Sequence, residues 1–162
     1  MAKVILVCGK ICSGKSYYSK HIKDSLNAVI ISPDEATYEL INNEQGEFYD
    51  IFSEKLIKYL TKKVGEIVTS GANVIFERGL WTKEERKKVV KYYNDRNIEC
   101  EIHYVSVDNE TWMKNIAERN KKVKEIKETS DFYIDEGLIR KLETLWEEPS
   151  EDEVDVIYKV NR

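Results

Sequence analysis

Residues 3–16 read KVILVCGKICSGKS. Lys3–Cys8 is a short β-branched apolar run that ends on a glycine-bearing loop, the pattern of a strand buried on both faces. That predicts a central strand in a parallel sheet. Helical periodicity then runs from Lys15 to about Leu26, and residues 28–31 (AVII) form a second strand, completing one strand–loop–helix–strand unit. Within it, residues 9–16 fit the pattern GxxxxGK[ST] in the strand-to-helix setting the pattern requires. A chance match in a chain this long is on the order of one per cent before flanking elements are demanded, which sets aside a plain glycine turn.

The pattern binds phosphate for physical reasons. Gly9 and Gly14 permit the tight backbone that turns successive amides toward phosphate oxygens, with the dipole of the next helix behind them. Lys15 is placed to reach the β and γ phosphates of ATP. The Ser16 hydroxyl is placed to ligate Mg2+, a hard ion that takes few protein ligands. Lys10, Ile11, Cys12 and Ser13 contribute mainly backbone, and Tyr17 completes the nucleotide-binding stretch. Cys12 sits near a helix N-terminus and Lys15, both of which lower a thiol pKa, so a redox-sensitive thiol is one expectation; a tolerated loop residue is the plainer one.

Further along, Ser32, Pro33 and Glu35 form a helix start with a serine cap, proline at the first position and glutamate at the third. Residues 49–70 carry a helical stripe of Ile51, Phe52, Leu56, Ile57, Leu60, Val64, Ile67 and Val68 that Gly71 stops. Strands follow at 73–76 and 101–107, with a helix capped by Thr82 between them, running to about Arg96. Asp108 caps a long polar helix, another helix spans 136–146, and residues 154–160 (VDVIYKV) alternate like a last strand. Unbroken alternation over 162 residues predicts one α/β domain: a five-stranded parallel sheet between helical layers, with ligands beyond the carboxyl ends of its strands.

Composition excludes several classes. With 41% hydrophobic and 35% charged residues and two prolines, the chain is too apolar for disorder and too interrupted for a membrane span. The N-terminus has no basic, apolar leader, so a cytoplasmic protein without a membrane partner is expected. Three cysteines, Cys8, Cys12 and Cys100, exclude both a disulfide framework and a four-ligand zinc site. A net charge of −4 opposes nonspecific binding to long nucleic acid. Charge is uneven, however. Residues 114–127 hold Lys114, Arg119, Lys121, Lys122, Lys124 and Lys127 against Glu118 and Glu125, a net of +4, and residues 147–155 hold six acids that read as a solvated loop. His103 reads as a sheet residue and His21 as helix surface. Tyr38, Phe48, Tyr49 and Trp81 follow strand ends and could line a pocket, although most read as core.

Four segments in order, GKICSGKS (9–16), ISPDE (31–35), VIFERGLW (74–81) and AERNKK (117–122), resemble the small P-loop kinases. The resemblance is to the polynucleotide-kinase, zeta-toxin and chloramphenicol-phosphotransferase group, an AAA-type ATP-binding domain of the P-loop NTPase superfamily. It implies a three-layer sandwich with the phosphate-loop strand central and a short helical lid near 112–131. It implies that Asp34 accepts the proton of an attacking hydroxyl and that Arg119 closes over the transferring group. Glu77 resembles the acid that holds a magnesium-bound water, with Asp108 as a rival that helix capping already explains. Arg78 could hold substrate or a phosphate, its plain alternative being a surface partner for Glu77 or for the basic helix. Two positions depart from the group: Thr37 stands where polynucleotide kinases have an arginine, and Val123 where the lid often has a second one.

The expected function is ATP- and Mg2+-dependent transfer of the γ-phosphate to a hydroxyl of a small-molecule or nucleotide-like acceptor. Lys15, Asp34 and Arg119 are the catalytic candidates, with Asp34 and Arg78 holding the acceptor and Ser16 and Glu77 the metal. Three readings stand beside it: an ATP-binding switch or NTP hydrolase acting through a protein partner, a nucleic-acid 5′-hydroxyl kinase, and a toxin-like sugar-nucleotide kinase. The basic segment favours the second, whereas Thr37 and the net charge oppose it. Guanine selectivity is not expected, because the chain lacks NKxD.

Overall fold

In the computed structural model of the chain, which describes residues 1–42, 46–126, 128–129 and 131–160, β1 (Lys3–Cys8) occupies the centre of a five-stranded sheet. The others are β2 (Ala28–Ile31), β3 (Asn73–Glu77), β4 (Glu99–Ser106) and β5 (Val156–Lys159), in the order β2-β3-β1-β4-β5, every pairing parallel. Val4, Ile5, Leu6, Val7 and Cys8 are each 0% exposed, which is why this strand reads as an uninterrupted apolar run. The expected three layers and five parallel strands are present.

Helices α1 (Lys15–Leu26), α2 (Pro33–Ile41), α3 (Tyr49–Thr69), α4 (Lys83–Asn94), α5 (Asn109–Glu125) and α6 (Glu136–Leu145) connect the strands. Side-chain alternation along β1 divides the core. Val4, Leu6 and Cys8 pack with Val74 and Phe76 against Val64 and Val68 of α3 and Val89 and Tyr93 of α4. Ile5 and Val7 face the other way, onto Tyr18 of α1. A third cluster of Cys12, Trp112, Ile116, Ile134 and Leu142 ties the loop after β1 to α5 and α6. Each large aliphatic side chain buried in full contributes roughly 1.5–3 kcal/mol, so β1 is the anchor on which the following loop is mounted.

The caps read from sequence are in place: Ser32, Thr82 and Asp108 accept from the backbone N–H groups of Glu35, Glu85 and Thr111. Three expectations change. β4 begins at Glu99 rather than at residue 101, and β5 is confined to Val156–Lys159 because a 3-10 turn, Glu151–Glu153, precedes it. The acidic run at 147–155 is not a merely solvated loop. Glu148 accepts from the Tyr104 hydroxyl at 3.0 Å, Asp155 from the Ile102 N–H at 2.8 Å, and Glu153 from Arg86 Nε at 3.1 Å. Arg86 is 1% exposed, and a buried guanidinium requires such a partner. Among the described residues no helix is long and apolar enough to cross a membrane. Lys127 of the basic segment lies outside the described residues.

Candidate active site

The register places the ends of three strands at one edge: Val7 lies beside Glu77, and Ile31 beside Phe76. The chain passes from β1 outward to β2 and later crosses to β4 on the other side of β1, so this edge is a topological switch point, where open α/β sheets bind ligands. Residues 9–14 cross it. A Cβ on Gly9 would come within 2.7 Å of Ser13 Oγ and 2.8 Å of Val105 O, so no side chain fits there. Gly14 has φ +105° and forms the N-cap of α1 with no side-chain capping bond. Four other helices, α2, α4, α5 and α6, have a side-chain cap. The first N–H groups of α1 therefore remain available to an external acceptor, with the helix dipole favouring an anion.

The loop carbonyls are satisfied from inside the protein. Lys15 Nζ donates to Gly9 O at 2.9 Å and Lys10 O at 2.8 Å; Trp112 Nε1 donates to Ile11 O at 2.7 Å, and Asn115 Nδ2 to Cys12 O at 2.9 Å. Lys10 lies with its ammonium 4.6 Å from the centre of the Trp112 ring. Carbonyls turned toward these donors leave amides as the backbone groups that can face a phosphate.

Beyond the loop opens a cleft of about 540 Å³. Ile11, Cys12, Gly14, Lys15, Ser16, Tyr17, Asp34, Glu77, Arg78 and Arg119 all line it, ten positions singled out from the sequence. Gly9, Lys10 and Ser13 shape the loop without lining the cleft; Ser13 is 1% exposed. The Ser16 hydroxyl donates to Glu77 Oε2 at 3.3 Å. Asp108 is occupied elsewhere, accepting from Thr111 N and Thr111 Oγ1 at 2.8 Å each, and does not line the cleft. The oxygen donors Ser16 and Glu77 fit a hard cation with few protein ligands. Among the described residues no group of three or more His, Cys, Asp or Glu is placed to hold a metal.

Burial lowers the Lys15 pKa from its ordinary value, with Asp34 and Glu77 opposing. Burial likewise lowers that of Arg78. At the α5 side of the cleft, Asp131 sits 3.8 Å from Arg119 Nε and 3.0 Å from Lys122 Nζ. Asn120, next to Arg119, binds Ile134 through both its N–H and its C=O, clamping the segment that follows α5.

Two readings need correction. The expected lowering of the Cys12 thiol pKa is reversed: burial raises it, because Trp112, Ile116, Ile134 and Leu142 cover the side chain, and the positive charges of Arg119 and Lys15 only partly offset this. Of the aromatics Tyr38, Phe48, Tyr49 and Trp81 none is fully buried: Phe48 is 72% exposed, Tyr49 and Trp81 line the cleft, and Trp81 alone also packs against the core cluster around Cys12. Trp112 and Asn115, the braces of the phosphate loop, were missed. Their signal is the helical spacing of Trp112, Asn115, Ile116 and Arg119, one face of α5 turned toward the loop.

No curated protein sequence matches the chain. Solved structures share its P-loop NTPase fold at low identity. Kti12 of Chaetomium thermophilum, in complex with ADP-AlF3, has a TM-score of 0.71 at 14% identity, covering 97% of this chain and 88% of that one. The APS kinase of Mycobacterium tuberculosis, in complex with AMPPNP and APS, has 0.69 at 16%, covering 99% and 90%. A gluconokinase from Sinorhizobium meliloti has 0.63 at 13%, covering 99% and 83%. At these identities the likeness is one of fold. The sequence itself matches a family model described as an AAA domain over residues 4–136. Reaching from β1 to the first residue of α6, that match shows that the chain belongs to the AAA domain family.

Proposed function

We propose that the chain is an ATP- and Mg2+-dependent phosphotransferase that moves the γ-phosphoryl group to a hydroxyl of a small-molecule or nucleotide-like acceptor. The observation that carries this reading is that the uncapped start of α1, the Ser16–Glu77 pair and the Asp34 carboxylate share one cleft. A nucleotide switch needs the first two and leaves Asp34 without a task. Fold relatives that contain AMPPNP or ADP-AlF3, and relatives named kinases, support the reading.

In this account the α1 amides and Lys15 hold and polarise the ATP phosphates. Ser16 and Glu77 would hold Mg2+, which neutralises phosphate charge when bound. Asp34 orients the acceptor hydroxyl and takes its proton as the oxygen attacks. A bond forms between that oxygen and the γ-phosphorus, the bond to the β–γ bridging oxygen breaks, and ADP leaves. Arg119 offsets the charge that develops on the transferred group, and Arg78 holds the acceptor.

The test is ADP release from Mg-ATP with pools of nucleosides, sugars, hydroxy acids and 5′-hydroxyl oligonucleotides. One pool stimulates release by the wild type, and Lys15→Ala and Asp34→Asn lose that stimulation. Slow ATP turnover that no pool stimulates and Asp34→Asn leaves unchanged would point to the switch instead.

A further inference from the structure

Among the described residues four cationic side chains line the cleft, and three of them are engaged. Lys15 is held by the Gly9 and Lys10 carbonyls, and Arg119 and Lys122 face Asp131. Arg78 differs. Its backbone N–H donates to Val7 O at 2.9 Å and its guanidinium lies 5.6 Å from the centre of the Phe76 ring. Among the described residues that guanidinium has no hydrogen-bond acceptor and no carboxylate at ion-pair distance. Glu85 acts on it only at longer range.

An arginine partly withdrawn from water and left without a counter-charge is unfavourable unless something that binds there completes it. The ATP phosphates already have Lys15 and the α1 amides, with Arg119 at the α5 side, so Arg78 is positive charge beyond what that end of the cleft requires. Its place also differs, because it stands at the end of β3, next to β2 in the sheet, and β2 leads into the helix that carries Asp34. The nearby Thr37 offers no competing donor, since its hydroxyl donates to Pro33 O at 2.8 Å. Asp34 by itself would repel an anion. A guanidinium lining the same cleft offsets that repulsion and can grip a planar carboxylate or a phosphate with two parallel bonds.

We infer that the acceptor is itself an anion, a hydroxyl compound carrying a carboxylate, sulfate or phosphate group that Arg78 holds while its hydroxyl lies at Asp34. This rests on the phosphotransferase reading above and narrows its substrate class.

The first arm of the test needs no turnover. Thermal unfolding of the full chain, saturated with Mg-AMPPNP to fill the phosphate loop, is followed while sulfate or malonate replaces chloride at constant ionic strength. Wild type is stabilised saturably by either anion. Arg78→Gln binds them roughly 10- to 100-fold more weakly, the loss expected for a charge-assisted pair, and Arg78→Lys falls between. Arg78→Lys also serves if Arg78→Gln does not fold. An equal response in wild type and both variants overturns the inference. Weaker Mg-AMPPNP binding by Arg78→Gln without altered anion binding overturns it too, by assigning Arg78 to ATP. The second arm compares ADP release with matched acceptors: glycerate with glycerol, gluconate with glucose, and adenosine 3′-phosphate with adenosine. A charged member stimulates release, and Arg78→Gln raises its KM by the same factor with a smaller change in kcat. Equal use of a neutral member overturns the anionic acceptor while leaving the phosphotransferase standing. Anion binding that depends on Arg78 without stimulation by any acceptor overturns the phosphotransferase reading, and the acceptor assignment with it.

Discussion

The Ser16 hydroxyl donates to Glu77 Oε2 across 3.3 Å, joining the first turn of α1 to the end of β3 although the residues lie 61 positions apart. Parallel register brings this about, since Glu77 is paired with Val7, two residues before the loop begins. If the pair holds Mg2+, removing either oxygen weakens the metal rather than the nucleotide pocket as a whole. Ser16→Ala and Glu77→Gln are expected to raise the Mg2+ concentration for half-maximal ADP release roughly tenfold or more at saturating ATP. An unchanged Mg2+ titration in both would remove the pair from the metal site.

Asn115 and Trp112 reach back from α5 over 103 and 101 positions to the loop carbonyls. Asn115→Ala leaves Cys12 O without its donor in a half-buried setting, at a cost of about 1 kcal/mol. Urea denaturation should show that loss, and nucleotide titration a several-fold weaker ATP. Trp112→Phe keeps the ring beneath Lys10 but strands Ile11 O, and should act in the same direction. Full ATP affinity in both variants would mean the loop holds its shape without α5.

In the proposed phosphotransferase, Asp131 would compete with the ATP phosphates for Arg119 and Lys122. Its contacts to Arg119 and Lys122 are partly exposed, so each is worth under about 1 kcal/mol. Asp131→Asn is expected to tighten ATP binding by up to about fivefold, with a larger effect at low salt. Weaker binding instead would show that Asp131 holds Arg119 in place.

The acidic segment supplies a pH dependence. Burial opposes the charged form of Glu153, yet the Ser150 N–H, the Arg86 guanidinium and the Ser150 hydroxyl outweigh it and bring its pKa from 4.5 down to about 2. A carboxylate whose folded value is depressed stabilises the fold above its unfolded value, and that contribution is lost as pH falls from about 4.5 toward 2. Glu153→Gln leaves Arg86 buried without its counter-charge, costing about 3 kcal/mol at neutral pH. Denaturation between pH 7 and pH 3 should show the wild type converging on the variant as pH falls. A constant gap across that range would contradict the assignment.

What the sequence shows follows the range of the forces involved. β1, the phosphate loop, α1 and β2 fall on the expected residues because strand periodicity, glycine geometry and capping are local. The cluster that covers Cys12 comes from residues 100 and more positions away, so only the helix start and Lys15 were visible, and they gave the wrong sign for its thiol. The acids at 147–155 read as solvated for the same reason: Arg86, Tyr104 and the Ile102 N–H, which they satisfy, lie on other elements. Asp34 and Arg78 could be singled out by order after strands and Arg119 by the resemblance of its segment, but their meeting in one cleft depends on the strand order, which no local pattern encodes.

The proposed function turns on phosphoryl transfer to a hydroxyl acceptor under the direction of Asp34. The most direct measurement is the fate of the label from γ-32P-ATP, divided between acceptor and inorganic phosphate, for wild type and Asp34→Asn with the acceptor pool that stimulates ADP release. Phosphoryl transfer directed by Asp34 puts label on the acceptor for wild type and lowers that product roughly 100-fold or more for Asp34→Asn, while ATP binding persists. Label found only in inorganic phosphate, at equal rates in the two proteins, would contradict it.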